Sequence, residues 1–367
     1  MSRHGAYLRA LGRWRGTFEA LNSPRSRGNL EFHMDDLSPT EAIATATALF
    51  QHMLKRLPTV DEGGALAKKL HGGASFGDIM GAVASTPEYV ALNAIRTRWP
   101  NGHYHSPVVD PSGVAAYLAR QRTADLKEIR GTKFESHTMV RAFEKEAPWL
   151  RTLQLPHEKG AGRYYEAGSP FPLGDAYTLA AIMHIYQPKR IIEIGSGFST
   201  ACMLDIADHM ELPTNITCIE PFPARLKMLL RPADEKRVTL ISDLVQNVPL
   251  SLFMKLNPGD VLFIDSSHVL KTGSDVHYEL FNILPIIKPG VVVHFHDCPY
   301  PFEYPDKWVF DWNHSWNEVY ALRAFLMFNT RFSVLMWPSM LKQLFTSRVI
   351  AAFPEFTSYA ASSIWIS

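Results

Sequence analysis

The spacing of apolar positions changes period twice along the chain. Between Ser38 and Asn93, Ala42, Leu49, Phe50, Met53 and Leu54 recur at helical intervals, which predicts a small helical module over residues 38–98. Within it, Ser85-Thr86-Pro87-Glu88 has the composition of a helix start. Between Trp99 and Gly168, Pro100, Gly102, Pro107, Pro111 and Gly131 interrupt the pattern around one helical stretch, Ser136 to Leu150. That composition predicts a connecting and covering region over residues 99–174. From Asp175 onward a helix to Tyr186 is followed by short apolar runs that alternate with helical stretches, the signature of a parallel α/β sheet over residues 175–367. The runs predict strands at Arg190–Ile194, Ile216–Glu220, Val238–Ile241, Val261–Asp265, Val291–His296 and Phe332–Trp337, with a last one, Ser362–Ile366, to close the sheet.

Composition narrows the functional classes. A formal net charge of +1 over 367 residues offers no field to attract nucleic acid or anionic lipid. No apolar run is long enough to span a bilayer. Cys202, Cys218 and Cys298 have neither paired nor metal-like spacing, so a reducing compartment, the cytoplasm, is expected. Over residues 1–30, Arg3, Arg9, Arg13, Arg15, Arg25 and Arg27 stand against the single acid Glu19, which is the charge style of an organellar transit peptide, but residues 1–37 are read in preference as a basic, flexible, solvated segment.

The first predicted strand runs into Glu193-Ile194-Gly195-Ser196-Gly197-Phe198-Ser199-Thr200. Glycines there let the backbone turn sharply and approach a ligand at the head of the next helix. Thr200 stands where a nicotinamide-binding fingerprint needs its third glycine, and the Gly-Lys-Ser/Thr ending of a phosphate-binding loop is absent. Glu193, two residues before the first glycine, is instead suited to the cationic amino end of an amino-acid sulfonium. Glu220, ending the second strand, is suited to a ribose diol. Asp243, after the third, is suited to an adenine amino group, although an acid there also serves as a helix cap. Gly195, Ser196, Gly197, Ser199, Thr200 and Asp265 complete the expected cofactor set.

Tyr104-His-Ser-Pro107, Gly174-Asp-Ala176, Glu193 through Thr200, Phe263-Ile-Asp-Ser-Ser-His268, Val293-His-Phe-His-Asp297, Pro301-Phe-Glu-Tyr-Pro305, Trp316-Asn-Glu318 and Ser362-Ser-Ile-Trp-Ile366 together resemble a family of bacterial class I S-adenosylmethionine-dependent methyltransferases active on natural products and sugars. The resemblance implies a Rossmann-like seven-stranded sheet with helices on both faces, whose last two strands form an antiparallel hairpin. It also implies S-adenosylmethionine as cofactor. Leu49 to Pro58, Gly63-Gly64 and Ser85 to Tyr89 resemble a small helical domain related to phycobilisome linkers and found in bacterial surface-polysaccharide proteins. By association it points to a glycan or other small-molecule acceptor.

Ligands of such sheets bind beyond the carboxyl ends of the strands, which selects Asp265, Ser266 and His268 after the fourth strand and His296 and Asp297 at the end of the fifth. A hydroxyl acceptor needs a base near neutral pH, and histidine supplies one. His268 is the first choice and His296 the second, with Asp265 orienting substrate or cofactor. His294, deeper in its strand, reads as packing. Neighbouring strand ends lie about 4.8 Å apart, so Asp265 and Asp297 also admit a magnesium ion shared with a substrate diol. Cys298 weakens that alternative, because a hard cation prefers oxygen. The aromatic run Tyr300 to Trp308 predicts a lid. The rival reading is a nucleoside-binding scaffold in a glycan-assembly complex, without turnover.

Overall fold

The computed structural model describes residues 58–71, 99–122, 129–160 and 162–367, together with isolated positions between 42 and 89. The basic segment 1–37 lies outside them. The chain divides into two units, residues 1–106 and 107–367.

In the first unit, Ala42, Ala46, Phe50 and Leu54 are buried at four-residue intervals, as one apolar helix stripe requires. Leu49 and Met53 lie outside the described residues. Helix α1, Val60–His71, begins in a capping box: the Thr59 N–H donates to Glu62 Oε2 at 2.8 Å and the Glu62 N–H to Thr59 Oγ1 at 3.2 Å. The predicted start at Thr86 is also built, with the Tyr89 N–H donating to Thr86 Oγ1 at 3.2 Å. His103 lies flat on Trp99 with ring centroids 4.5 Å apart, and Tyr104 and His105 pack on His103 in turn.

The second unit is built on a seven-stranded sheet in the order β3-β2-β1-β4-β5-β7-β6. Its strands are β1 (Arg190–Ile194), β2 (Asn215–Ile219), β3 (Val238–Ile241), β4 (Val261–Ile264), β5 (Val292–Phe295), β6 (Val334–Met336) and β7 (Ile364–Ile366). β1 to β5 run parallel, and β7 runs antiparallel to both its neighbours. This is the expected α/β architecture. The last strand, however, does not close the edge: β7 inserts between β5 and β6, where Ile364, Trp365 and Ile366 are fully buried. An all-apolar run is stable only with both faces covered, and each fully buried large apolar side chain contributes about 1.5–3 kcal/mol.

The covering region contains more structure than its prolines suggest. Helix α2 occupies Pro111–Arg122 and α3 Ser136–Leu150. Pro111 begins α2 rather than breaking the chain, because the first helical position needs no N–H, and Asp110 caps it by accepting the Ser112 N–H at 3.0 Å. Helix α4, Leu173–Tyr186, is buried round most of its circumference. Arg163 fixes the segment before it, bonding to Asp205 and Asp208 at 2.7 Å and to both oxygens of Asp234 at 2.6 and 2.8 Å. Among the described residues no helix is long and apolar enough to cross a membrane.

Candidate active site

The turn after β1 leads into helix α5, Phe198–His209. Gly195 has φ +78°, and a Cβ on it would stand 1.9 Å from the Asp265 carbonyl oxygen. Only glycine lets the loops after β1 and β4 close to this distance. Glu193 is fully buried beneath the turn. Its Oε1 accepts from Ser199 Oγ at 2.6 Å, and its Oε2 accepts from Thr200 Oγ1 and, at 3.5 Å, from Cys218 Sγ. Burial pushes its pKa up to about 7, with these donors working in the opposite direction. The carboxylate thus holds the head of α5 from below. Ser199 and Thr200 are spent on that task.

Glu220 lies beside the same turn, accepting the Ser196 N–H at 3.2 Å and the Phe222 N–H at 2.7 Å. It is half-buried, so its carboxylate stands at the rim of the β1 and β2 ends. A carboxylate beside a glycine turn there fits an adenosine ribose. Asp243 is exposed and bonded to the Leu244 N–H and the Asn247 amide, both at 2.7 Å, which is a capping arrangement.

The ends of β4 and β5 bring Asp265, His268, His296 and Asp297 together. His268 and Asp297 both adopt left-handed backbone conformations, with φ of +60° and +52°, a strain that tends to collect at functional sites. The His268 ring is buried. Its Nδ1 lies 2.8 Å from Glu318 Oε2, while its Nε2 faces Asp265 Oδ1 at 3.6 Å and Asp297 Oδ2 at 3.9 Å. Burial alone would lower the His268 pKa. The hydrogen bond and charge of Glu318, followed by the charges of Asp297 and Asp265, outweigh it and raise the pKa to about 10. His268 is therefore an imidazolium at neutral pH, not the neutral imidazole expected of a resting base.

Glu318 begins helix α6, Glu318–Leu326. The segment reaches His268 because the Asn317 and Glu318 N–H groups both donate to the His268 carbonyl at 3.1 Å. Glu279, also fully buried, accepts from Ser266 Oγ at 3.2 Å, and burial together with the charge of Glu318 raises its pKa. His296 is buried against the Phe171 ring. Burial lowers its pKa, but Asp265, Asp297 and Asp175 produce a net rise. His294 stacks on Phe263 at 3.6 Å and is kept neutral by burial, which fits its reading as packing. Asp297 accepts from Ser362 Oγ at 2.7 Å, and buried Asp175 in turn accepts the Ser362 and Ser363 N–H groups.

The residues present do not fit the alternative magnesium site. Among the described residues no cluster of three or more His, Cys, Asp or Glu side chains is arranged to hold a metal. His268 Nε2 stands 3.6 Å from Asp265 Oδ1 and 3.9 Å from Asp297 Oδ2, so the donor beside the two carboxylates is an imidazole nitrogen and not the oxygen a hard cation prefers. The Cys298 thiol next to Asp297 is buried, with a pKa raised by burial, so it offers no hard ligand either.

Beyond these residues lies a cavity of about 750 Å³, within the size range of small-molecule sites. Tyr304 and Trp308 line it from the predicted lid, Trp316 from the segment that precedes α6, and Tyr117 and Gln121 from α2. Trp316 connects it to the chemistry, its ring centroid 4.4 Å from that of His268. The sequence pointed to the aromatic run but not to Glu318, Asp175 or α2, and it places Glu279 on a solvated helix face where the structure buries it fully. Glu318 and Asp175 stood within motifs that carry the family resemblance, although no role could be read for either.

A family model described as a methyltransferase domain matches residues 192–298. A protein of Archaeoglobus fulgidus with no assigned function is 29% identical over 173 residues, covering 43% of this chain and 73% of its own length. Among solved structures, an S-adenosylhomocysteine-bound methyltransferase of Podospora anserina shares 18% identity at a TM-score of 0.32, over 61% of this chain and 90% of that one. A Staphylococcus aureus protein proposed to be a caffeoyl-CoA O-methyltransferase shares 15% identity at a TM-score of 0.31, over 60% and 91%. Scores this low add no weight beyond the strand order itself. The domain match runs from within β1 to just past β5, the stretch that carries the glycine turn, Glu220 and Asp265 to Asp297. A methyltransferase domain model therefore spans the part of the α/β sheet that brings the candidate site residues together.

Proposed function

We propose that this protein methylates an oxygen nucleophile on a saccharide or glycosylated small metabolite. The observation that carries this reading is the aromatic cavity joined through Trp316 to the His268 and Glu318 pair. Aromatic faces suit sugar rings, and the side-chain amides of Gln121 and Gln343 at the cavity wall suit hydroxyl groups.

In this reading the turn from Gly195 to Gly197 and the Glu220 carboxylate bind the nucleoside, and Glu193 keeps the head of α5 in place. Asp243 receives the adenine amino group, and Asp265 orients the bound ligands. When bound, S-adenosylmethionine supplies the methyl group and a positive sulfonium. Glu318 fixes the His268 ring so that Nε2 points toward Asp265 and Asp297. His268 accepts the acceptor's hydroxyl proton at Nε2 once it is neutral, and a cation nearby makes that deprotonation easier. His296 supports the same carboxylates from β5. Trp316 and the lid keep water from the reacting hydroxyl.

The test is mass spectrometry of candidate glycans and glycosylated metabolites incubated with the protein and S-adenosylmethionine. A gain of one methylene mass on a hydroxyl is expected. Binding of S-adenosylhomocysteine without methylation of any acceptor, in a chain that retains His268 and Glu318, would favour the scaffold reading.

A further inference from the structure

The charged groups at the cavity wall are unequal in what they have to bind. Glu303 accepts from the Tyr320 hydroxyl at 2.5 Å and from the Tyr304 N–H at 3.0 Å, so its carboxylate is engaged within the protein. Burial lowers the His314 pKa, and that ring lies flat against Trp316 at 4.1 Å. Arg323 is different. It lines the cavity from α6, yet among the described residues its guanidinium has no hydrogen-bond or ion-pair partner. An arginine with five donors at the wall of an aromatic cavity is suited to grip a planar or tetrahedral oxyanion.

We infer that Arg323 selects an acceptor bearing an anionic group, a carboxylate or a phosphate, placed so that its hydroxyl reaches His268. The inference rests on the proposed function and narrows its substrate class to acidic or phosphorylated saccharides. α6 carries both ends of the arrangement: Glu318 at its start holds His268, and Arg323 in its last turn faces the cavity. One short helix therefore sets the distance between the anion anchor and the proton acceptor. Arg323 also complements the helix dipole there, but that role does not depend on what fills the cavity.

Trp308 and Trp316 at the cavity wall provide the readout. Tryptophan fluorescence of the full chain is titrated with glucuronate, glucose 1-phosphate and glucose at constant ionic strength, in wild type, Arg323→Gln and Arg323→Lys. At least one anion should bind roughly 10-fold or more tightly than glucose, as expected for a charge-assisted contact. The anion that saturates first distinguishes carboxylate from phosphate. Arg323→Gln should abolish the preference, and Arg323→Lys should restore part of it. Equal binding of glucose, a preference that survives Arg323→Gln, or no saturable response to either anion overturns the inference. Thermal shift with S-adenosylhomocysteine runs alongside. If it fails in wild type the methyltransferase reading fails, and if it succeeds without an anion preference only the anionic acceptor is lost.

Discussion

His268 Nδ1 lies 2.8 Å from the Glu318 carboxylate across fifty residues of sequence, and both side chains are buried. The carboxylate fixes the orientation and the charge of the imidazole together. Burial pushes the Glu318 carboxyl up while the imidazolium pulls it down, and the proton of the pair sits on His268 because Asp265 and Asp297 also favour the cation.

Removing the carboxylate leaves a buried charge without its main partner. Glu318→Ala is expected to lower the unfolding free energy in urea at pH 7 by about 3–5 kcal/mol, the usual cost of breaking a buried pair. An effect below about 1 kcal/mol would mean that the pair is solvated.

The same pair predicts a pH dependence of stability. His268 rises from 6.5 to about 10 on folding, so the folded state binds the extra proton between those values. Its contribution is fully present below about pH 6.5 and is lost as pH rises toward 10, with a slope of up to about 1.4 kcal/mol per pH unit. Glu318→Gln should flatten that decline. An identical decline in the variant would place the titration elsewhere.

A base that rests protonated makes turnover increase with pH. The kcat should climb through pH 7 and 8, and His268→Ala should lower it about 100- to 10,000-fold with little change in cofactor affinity. A plateau from pH 6 upward would remove His268 as the base, and a larger loss in His296→Ala would move the base to β5.

S-adenosylhomocysteine should raise the melting temperature and NAD should not, because only a ligand of the folded state stabilises it by mass action. Glu220→Ala should weaken that binding by roughly 1.5–3 kcal/mol. Unchanged affinity in the variant would place the ribose away from β2.

Gly195→Ala meets two obstacles, a positive φ and a carbonyl oxygen 1.9 Å from the new Cβ. The backbone conformation alone costs about 1–3 kcal/mol. Chemical denaturation should therefore show a loss of at least that size, with the response to S-adenosylhomocysteine also reduced. A variant as stable as wild type would show that the loop after β4 can retreat.

The amino-acid sequence by itself determined the elements and the local turn chemistry. Apolar runs of four to six residues, the glycines at 195 and 197, and the acids at 193, 220 and 265 are each signals written within a few residues of sequence. Parallel strands then place their carboxyl ends side by side, so the grouping of Asp265, His268, His296 and Asp297 followed from spacing alone. Tertiary structure decided what each group contacts. Glu193 looks like a ligand contact in the sequence, yet Ser199, Thr200 and Cys218 consume its carboxylate. Pro111 looks like a break and begins a helix that lines the cavity. β7, last in sequence, lies inside the sheet because its two apolar faces require cover. Above all, the charge on His268 depends on Glu318, which no periodicity links to it. A pKa is set by burial and by the charges that surround a group, and those neighbours are assembled only when distant segments pack.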